Sequence, residues 1–349
     1  MHQKTQYIIG FALFLLIIFP KLMYSSSSGA EKGSVSKSDP PPEEESFNPG
    51  KMILDHVTDH YSWHIVTIGE HDISLPLPVI LYSKDRGFFC FMSSKFHHGH
   101  ATYKNFKVAQ NGVHKGDVVE LTPDGKVKEQ KPIDFSITKT VAAIFVSIIL
   151  MLSILIPIAK RYKKHPNQPP KGFQSLLEPL ILFIRDDIAR SSIGEEHYER
   201  YTPFLLSIFF FILFNNLLGL IPIFPAGANV TGNITVTMAL ALFTFIITQL
   251  SGNKHYWQEV VNPPVVPWWL KLPFPLIPLI EFVGILTKPI VLMIRLFANI
   301  SAGHIVLLGF FSLIFIFGNM SVAAGYGVSV FSVIFTIFIS MLELLVAFI

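Results

Sequence analysis

Charge and cysteine are both scarce in this chain of 349 residues. Only 15% of the residues are charged and 51% are hydrophobic, with a mean hydropathy of +0.50. A soluble domain carries charge on roughly a quarter of its residues, so this chain needs lipid around it. The formal net charge of +3 is too mild for a nucleic-acid partner, and the charged residues avoid the long apolar runs. The one cysteine, Cys90, cannot form an intrachain disulfide, so cysteine content neither demands nor excludes an oxidising compartment. A Walker loop, a Gly-x-Ser-x-Gly elbow and Cys-His metal spacing are also missing. No catalytic nucleotide site, resident metal or other cofactor is therefore expected.

What is present divides the chain in four. Residues 1–23 join a basic start to a short apolar run ending at Pro20 and then to small residues, the pattern of a cleavable signal peptide. A retained anchor helix is the rival reading, but the run is short of the roughly 20 residues that a crossing needs. Residues 24–50, rich in Ser, Gly, Glu and Pro, bury too little apolar surface to order themselves and are expected to be a disordered linker. Over 51–135, alternating stretches such as ISLPLPVILY, GFFCFM and VVELTP, with a turn signal at Pro123-Asp124-Gly125, predict a small strand-rich domain. A signal peptide ahead of it places residues 24–135 outside the cytoplasmic membrane.

Residues 136–349 hold membrane segments at 136–159, 202–224, 233–251, 276–316 and 325–349, each long enough to cross hydrocarbon. The 161–201 connection carries Arg161, Lys163, Lys164, Lys171, Arg185, Arg190 and Arg200, and 252–275 carries Lys254 and Lys271. The loops 225–232 and 317–324 have no Lys or Arg. By the positive-inside rule the basic connections are cytoplasmic, which again leaves 24–135 outside. Trp257, Trp268 and Trp269, among Pro263, Pro264, Pro267, Pro273 and Pro275, are expected to form an interfacial aromatic belt on a loop that cannot be regular helix, and the amphipathic run 171–190 to lie on the cytoplasmic surface. The fold class is thus an all-α polytopic membrane protein of about five to six embedded helices, preceded by a small strand-rich extracytoplasmic domain.

Ionisable residues within apolar helices are costly and mark ion paths. Glu281, Lys288, Arg295 and His304 all lie in 281–304, and Glu343 sits in the apolar run FTIFISMLELLVAFI. At about 100° per residue, Glu281, Lys288, Arg295, Asn299 and Ala302 share one narrow stripe, whereas His304 falls nearly opposite Arg295. Pro289 makes the upstream part of that stripe less secure than Arg295, Asn299 and Ala302. Small residues Ala298, Ser301, Ala302 and Gly303 allow another helix to come close. Arginine keeps its proton, so Arg295 suits a fixed charge, while His304 and Glu343 can both exchange one. The bland alternative is a buried Arg295–Glu343 ion pair within the subunit. For Asn215, Asn216 and Asn233 interhelical hydrogen bonding is the simpler reading.

The run Arg295-Leu296-Phe297-Ala298-Asn299-Ile300-Ser301-Ala302-Gly303-His304 resembles the signature RLFxNxxAG(E/H) of the subunit a family, the membrane stator subunits of rotary ATP synthases. FNNLLGLIP at 214–222, TGNITVTMALAL at 231–242 and EFVGILTKPI at 281–290 extend the likeness over roughly 136–349. The resemblance implies a bacterial inner-membrane protein ending in a tilted helical hairpin and conducting protons through two half-channels to a rotor ring. Arg295 would face the carboxylate of each passing rotor helix. His304 and Glu343 would line a half-channel, with Asn299 and Glu281 in support. Its partners would be the ring c subunits, the peripheral-stalk b subunits and the rest of the synthase, which holds the ATP chemistry. The common bacterial pattern has glutamate at the His304 position and histidine at the Glu343 position, an exchange that keeps one acid and one base. The family also continues beyond the position of Ile349, so a longer natural chain is expected.

Other features fit less. His56, His60 and His64 recur every fourth residue, and His97, His98 and His100 form a second cluster, but no cysteine or convincing carboxylate completes a metal site. The Asn229-Val-Thr and Asn233-Ile-Thr matches to the glycosylation pattern lie at the membrane, where chance is the better reading. A self-contained secondary transporter would show internal repeats, and a membrane-anchored enzyme a nucleophile-base or metal constellation. Neither is visible.

Overall fold

The computed structural model describes residues 50, 53 and 58–348, apart from 69–70, 100, 110–115, 123–125, 129–130, 166–167, 222–226 and 262–275. The leader at 1–23, the linker up to residue 49, His56, His100, the turn at 123–125, the proline-rich stretch with Trp268 and Trp269, and Ile349 lie outside the described residues.

The alternating stretches form strands. β1 (Ser62–Ile68) pairs antiparallel with β2 (His71–Pro76); β3 (Pro78–Ser83) lies between β4 (Gly87–Met92) and β7 (Ile133–Asp134); β5 (Phe106–Val108) pairs with β6 (Val118–Glu120). In β3, Val79 and Leu81 point inward and pack with Phe96, Phe106 and Val118, as the two-residue period requires. Two polar contacts tie the strands together: Ser83 Oγ donates to buried Glu120 at 2.8 Å, and the Tyr61 hydroxyl donates to Asp134 at 2.5 Å. Burial pushes the Tyr61 phenol well above its ordinary range, and the carboxylates of Asp134 and Asp117 add to the effect. The four-residue interval between His60 and His64 is not a helical one. His64 sits on β1, which extends to pair with β2, so the four-residue interval does not create one face. Among the described residues no group of three His, Cys, Asp or Glu converges to hold a metal.

The rest is helical. α1 (Lys139–Lys164) is followed by α2 (Phe173–Leu182), whose last turns widen into a π-helical stretch, Phe183–Arg190, and one more turn, Ser191–Ile193. Then come α3 (Tyr198–Leu220), α4 (Ile234–Leu250), α5 (Lys254–Val261), α6 (Leu276–Met320) and α7 (Val322–Phe348). Trp257 sits on α5 and not on an irregular loop, because the helix ends before the first proline of the stretch, Pro263. α1, α3, α6 and α7 are long and apolar enough to cross a membrane. α4 differs from the sequence reading: its 17 residues rise only about 25 Å, short of the roughly 30 Å hydrocarbon layer. Asn233 caps its start by accepting from Thr235 N at 3.0 Å, and it ends before Ser251 and Gly252.

α6 has 45 residues and runs on through Pro289. At 1.5 Å per residue it is about 67 Å long, twice what an upright crossing needs, which matches a slanted hairpin with α7. The hairpin turns at Ser321, whose Oγ accepts from Ala324 N at 3.1 Å to cap α7. Gly325 packs there so closely that a Cβ would lie 2.9 Å from Gly318 Cα. α3 packs against both α1 and α7, and α6 against both α7 and α4. The core of this arrangement includes Ala143, Ile144, Met151, Phe210, Phe211, Phe214 and Leu240, and it also takes in Trp63 and Leu77 from the strand-rich region.

Candidate functional site

The long helix α6 has two different sides. Glu281, Lys288, Arg295, Asn299 and Ala302 are all exposed on this chain, while Ile300 and Ser301 are buried and His304 is turned inward. The stripe persists across Pro289 because the helix is unbroken there. Among the described residues none forms an ion pair with Arg295. The alternative of an Arg295–Glu343 pair is therefore not what the structure contains: Glu343 pairs instead with His304, through Oε1 and Nδ1. The reason is angular, since Arg295 and His304 leave α6 on opposite sides and α7 packs on the side of His304.

The His304–Glu343 pair is closely held. Glu343 is 3% exposed, and its Oε2 has no hydrogen-bond partner among the described residues. Gly303 makes room for it: a Cβ there would lie 2.9 Å from Oε1 and 3.0 Å from Cδ of Glu343. On the other side of the imidazole, Nε2 lies 3.3 Å from the carbonyl oxygen of Gly219 in the last turn of α3. A carbonyl only accepts, so Nε2 carries the hydrogen. Nδ1 then either donates to a carboxylate, as imidazolium, or accepts from a protonated carboxyl. The two forms hold the same number of protons, differ only in which side of the contact carries the shared one, and need no movement of heavy atoms.

Next to the pair, the loop between α3 and α4 meets Asn216 of α3; the interhelical reading does not hold for Asn215 or Asn233, whose side-chain bonds among the described residues stay within or at the cap of their own helices. Thr231 Oγ1 donates to Asn216 Oδ1 at 2.6 Å, and both residues are buried. Ser301 Oγ donates to the carbonyl of Gly232 at 3.3 Å. Asn215 bonds back to Phe211 O within its own helix, at 2.7 Å. Thr231 and Ser301 were not legible from sequence spacing, because each bond joins the α3–α4 loop to a helix residue distant in the chain. Asn229 Oδ1 accepts from Gly232 N at 2.7 Å, and a Cβ on Gly232 would lie 2.1 Å from Asn229 Nδ2. Gly232→Ala is thus expected to expel the Asn229 side chain and destabilise the loop by about 1–3 kcal/mol. A lowered unfolding midpoint of the purified complex would register this, and an unchanged midpoint would refute it.

The family described as ATP synthase A chain matches residues 141–349. The chain belongs to the ATP synthase A chain family. Among curated relatives, "ATP synthase subunit a" of Chlorobium phaeobacteroides is 40% identical over 260 residues, covering 72% of this chain and 72% of that protein. The protein of the same name from Pelodictyon phaeoclathratiforme is 41% identical over 262 residues, covering 72% of this chain and 73% of its own. That from Myxococcus xanthus is 41% identical over 222 residues, covering 62% of this chain and 68% of its own. Residues 52–135 match a second family, described only as a domain of unknown function (DUF8433). The likeness to the first two relatives covers more residues than 141–349 holds, so it reaches into the strand-rich region. Family membership makes this a multi-pass membrane subunit of the proton-translocating ATP synthase.

Proposed function

We propose that the chain carries protons through two offset half-channels to and from a rotor ring of c subunits, with Arg295 as the fixed charge between them. His304 and Glu343 are the exchanging groups of the outer half-channel, and Asn299 and Glu281 support the ring-facing stripe. The observation that carries this reading is the contact from His304 to both Glu343 and Gly219. α3 enters the membrane after the basic 161–201 connection, so its last turn, with Gly219, is at the outer side by the positive-inside rule. A group that exchanges its proton there is reached from outside. The exposed stripe supports the other half of the reading: an arginine on a membrane helix costs about 2.5–3.5 kcal/mol at the centre of the bilayer unless protein or water covers it. A rotor carboxylate supplies that cover. The same orientation puts residues 24–135 outside a bacterial inner membrane, behind a signal peptide at 1–23, and leaves the basic connections on the inner side for the peripheral-stalk b subunits.

Disulfide cross-linking checks which side of α6 meets the ring. In a Cys90→Ser background, Asn299→Cys is expected to cross-link to a cysteine on the outer face of a c subunit in the assembled complex. Ser301→Cys, which points into the chain's own core, is expected not to. Equal yields for both would remove the ring from the Arg295 stripe.

A further inference from the structure

The region of unknown function is bolted to the membrane helices at one end of the proposed proton path. The first N–H groups of a helix have no acceptor within it. In α1 two of these are taken by residues far back in the chain: Thr140 N donates to Asp59 Oδ1 at 2.9 Å across 81 residues, and Lys139 N donates to His60 O at 2.9 Å. The Asp59 carboxylate also opposes the positive end of the helix dipole. Beside this cap, Trp63 of β1 and Leu77 between β2 and β3 are 3% and 6% exposed. Both belong to the apolar core that holds Ala143 and Ile144 of α1 and Ala228 and Val230 of the α3–α4 loop. The residues that follow Val230 are Thr231 and Gly232, bonded to Asn216 of α3 and to Ser301 of α6. His304 lies one helical turn beyond Ser301.

We infer that the strand-rich region is a clamp on the outer proton intake. By burying Trp63 and Leu77 against the helix ends and capping α1 with Asp59, it holds the 227–233 loop closed and so sets where Thr231, Gly232 and, through Ser301, His304 stand. Trp63 is a positioning residue for proton uptake from the outer aqueous phase, and it touches no proton itself. The inference rests on the reading of His304 and Glu343 as the outer half-channel. The physical reason for such a clamp lies in residues 227–233: they lead directly into α4, and Thr231 and Gly232 bond to buried Asn216 and Ser301, so any opening at the water edge would displace these contacts together.

The test uses the whole synthase in proteoliposomes, with Cys90→Ser as the parent and an acid pulse on the outer side driving ATP synthesis. Trp63→Ala is expected to lower the rate about fivefold or more, with Trp63→Phe restoring most of it and uncoupled ATP hydrolysis unchanged. In the same proteins, Thr231→Cys, at a position 1% exposed, is expected to become reactive toward a membrane-impermeant maleimide in the Trp63→Ala background only. An assembled Trp63→Ala complex with an unchanged rate overturns the inference. So does a lowered rate with Thr231→Cys still protected, which assigns Trp63 to stability alone. If Trp63→Ala does not assemble, Asp59→Ala loosens the same junction without opening a cavity, and the same two readouts decide. His304→Ala, run in parallel, separates the two readings: if it leaves synthesis unchanged, the half-channel reading falls, whatever Trp63→Ala does.

Discussion

Arg295→Ala is expected to abolish ATP-driven proton pumping in inverted membrane vesicles while the complex stays assembled. The argument begins with the guanidinium, which holds its charge at every physiological pH. On α6 it stands exposed in a stripe with Asn299 and Ala302, two short side chains that let another helix approach. On the proposed reading, a permanent positive charge there would keep an approaching rotor carboxylate ionised and deny protons a direct route between the half-channels. Without it, the ring can carry a protonated carboxyl past the stator and the coupling is lost. The field that would otherwise be harnessed is about 2.3 kcal/mol per charge for each 100 mV. Arg295→Lys is expected to recover little, because an ammonium is a compact point charge that gives up its proton more readily when desolvated. Pumping at the native rate in an assembled Arg295→Ala complex would remove the arginine from the mechanism.

His304 and Glu343 should behave as one unit. Each substitution to alanine is expected to slow proton-driven ATP synthesis by about 10²-fold or more, the range over which a positioned proton-transfer group acts. The double substitution should be little worse than either single one. His304→Ala leaves the buried Glu343 without its partner, and Glu343→Ala leaves Nδ1 of His304 facing a cavity. On the proposed reading either change would interrupt the same proton transfer, so the second would have little left to remove. Rates of the four proteins, normalised to the amount of assembled complex, close the cycle. Fully additive losses would mean that the two residues serve separate steps. Exchanging the pair, with His304→Glu and Glu343→His together, keeps one acid and one base and is expected to restore part of the activity lost by His304→Glu alone.

Much of the architecture was legible in the linear sequence because its causes are local. Long apolar runs must become helices in lipid, where every backbone polar group needs an internal partner. Alternation in GFFCFM makes a strand with two faces, and the 100° step of a helix puts Arg295, Asn299 and Ala302 on one side and His304 on the other. The ends of α4 were read to within one residue, and what failed was the expectation that an apolar run of this length crosses the hydrocarbon: 17 residues between the Asn233 cap and the turn at Gly252 fall short of it.

What the sequence determined by itself, then, is the membrane class, the succession of strands and helices, and the outward stripe around Arg295. Each follows from the chemistry of neighbouring residues. Only the tertiary structure decided the partner of Glu343. The carboxylate lies 39 residues from His304 and could equally have served Arg295; the antiparallel closure of α7 on the far side of α6, with Gly303 leaving space, made the choice. Tertiary structure also brought Thr231 to Asn216, Ser301 to Gly232 and Asp59 to the start of α1. These pairs form because separate helices and strands stop at particular heights and pack at particular angles, and no local periodicity encodes where two such elements will meet.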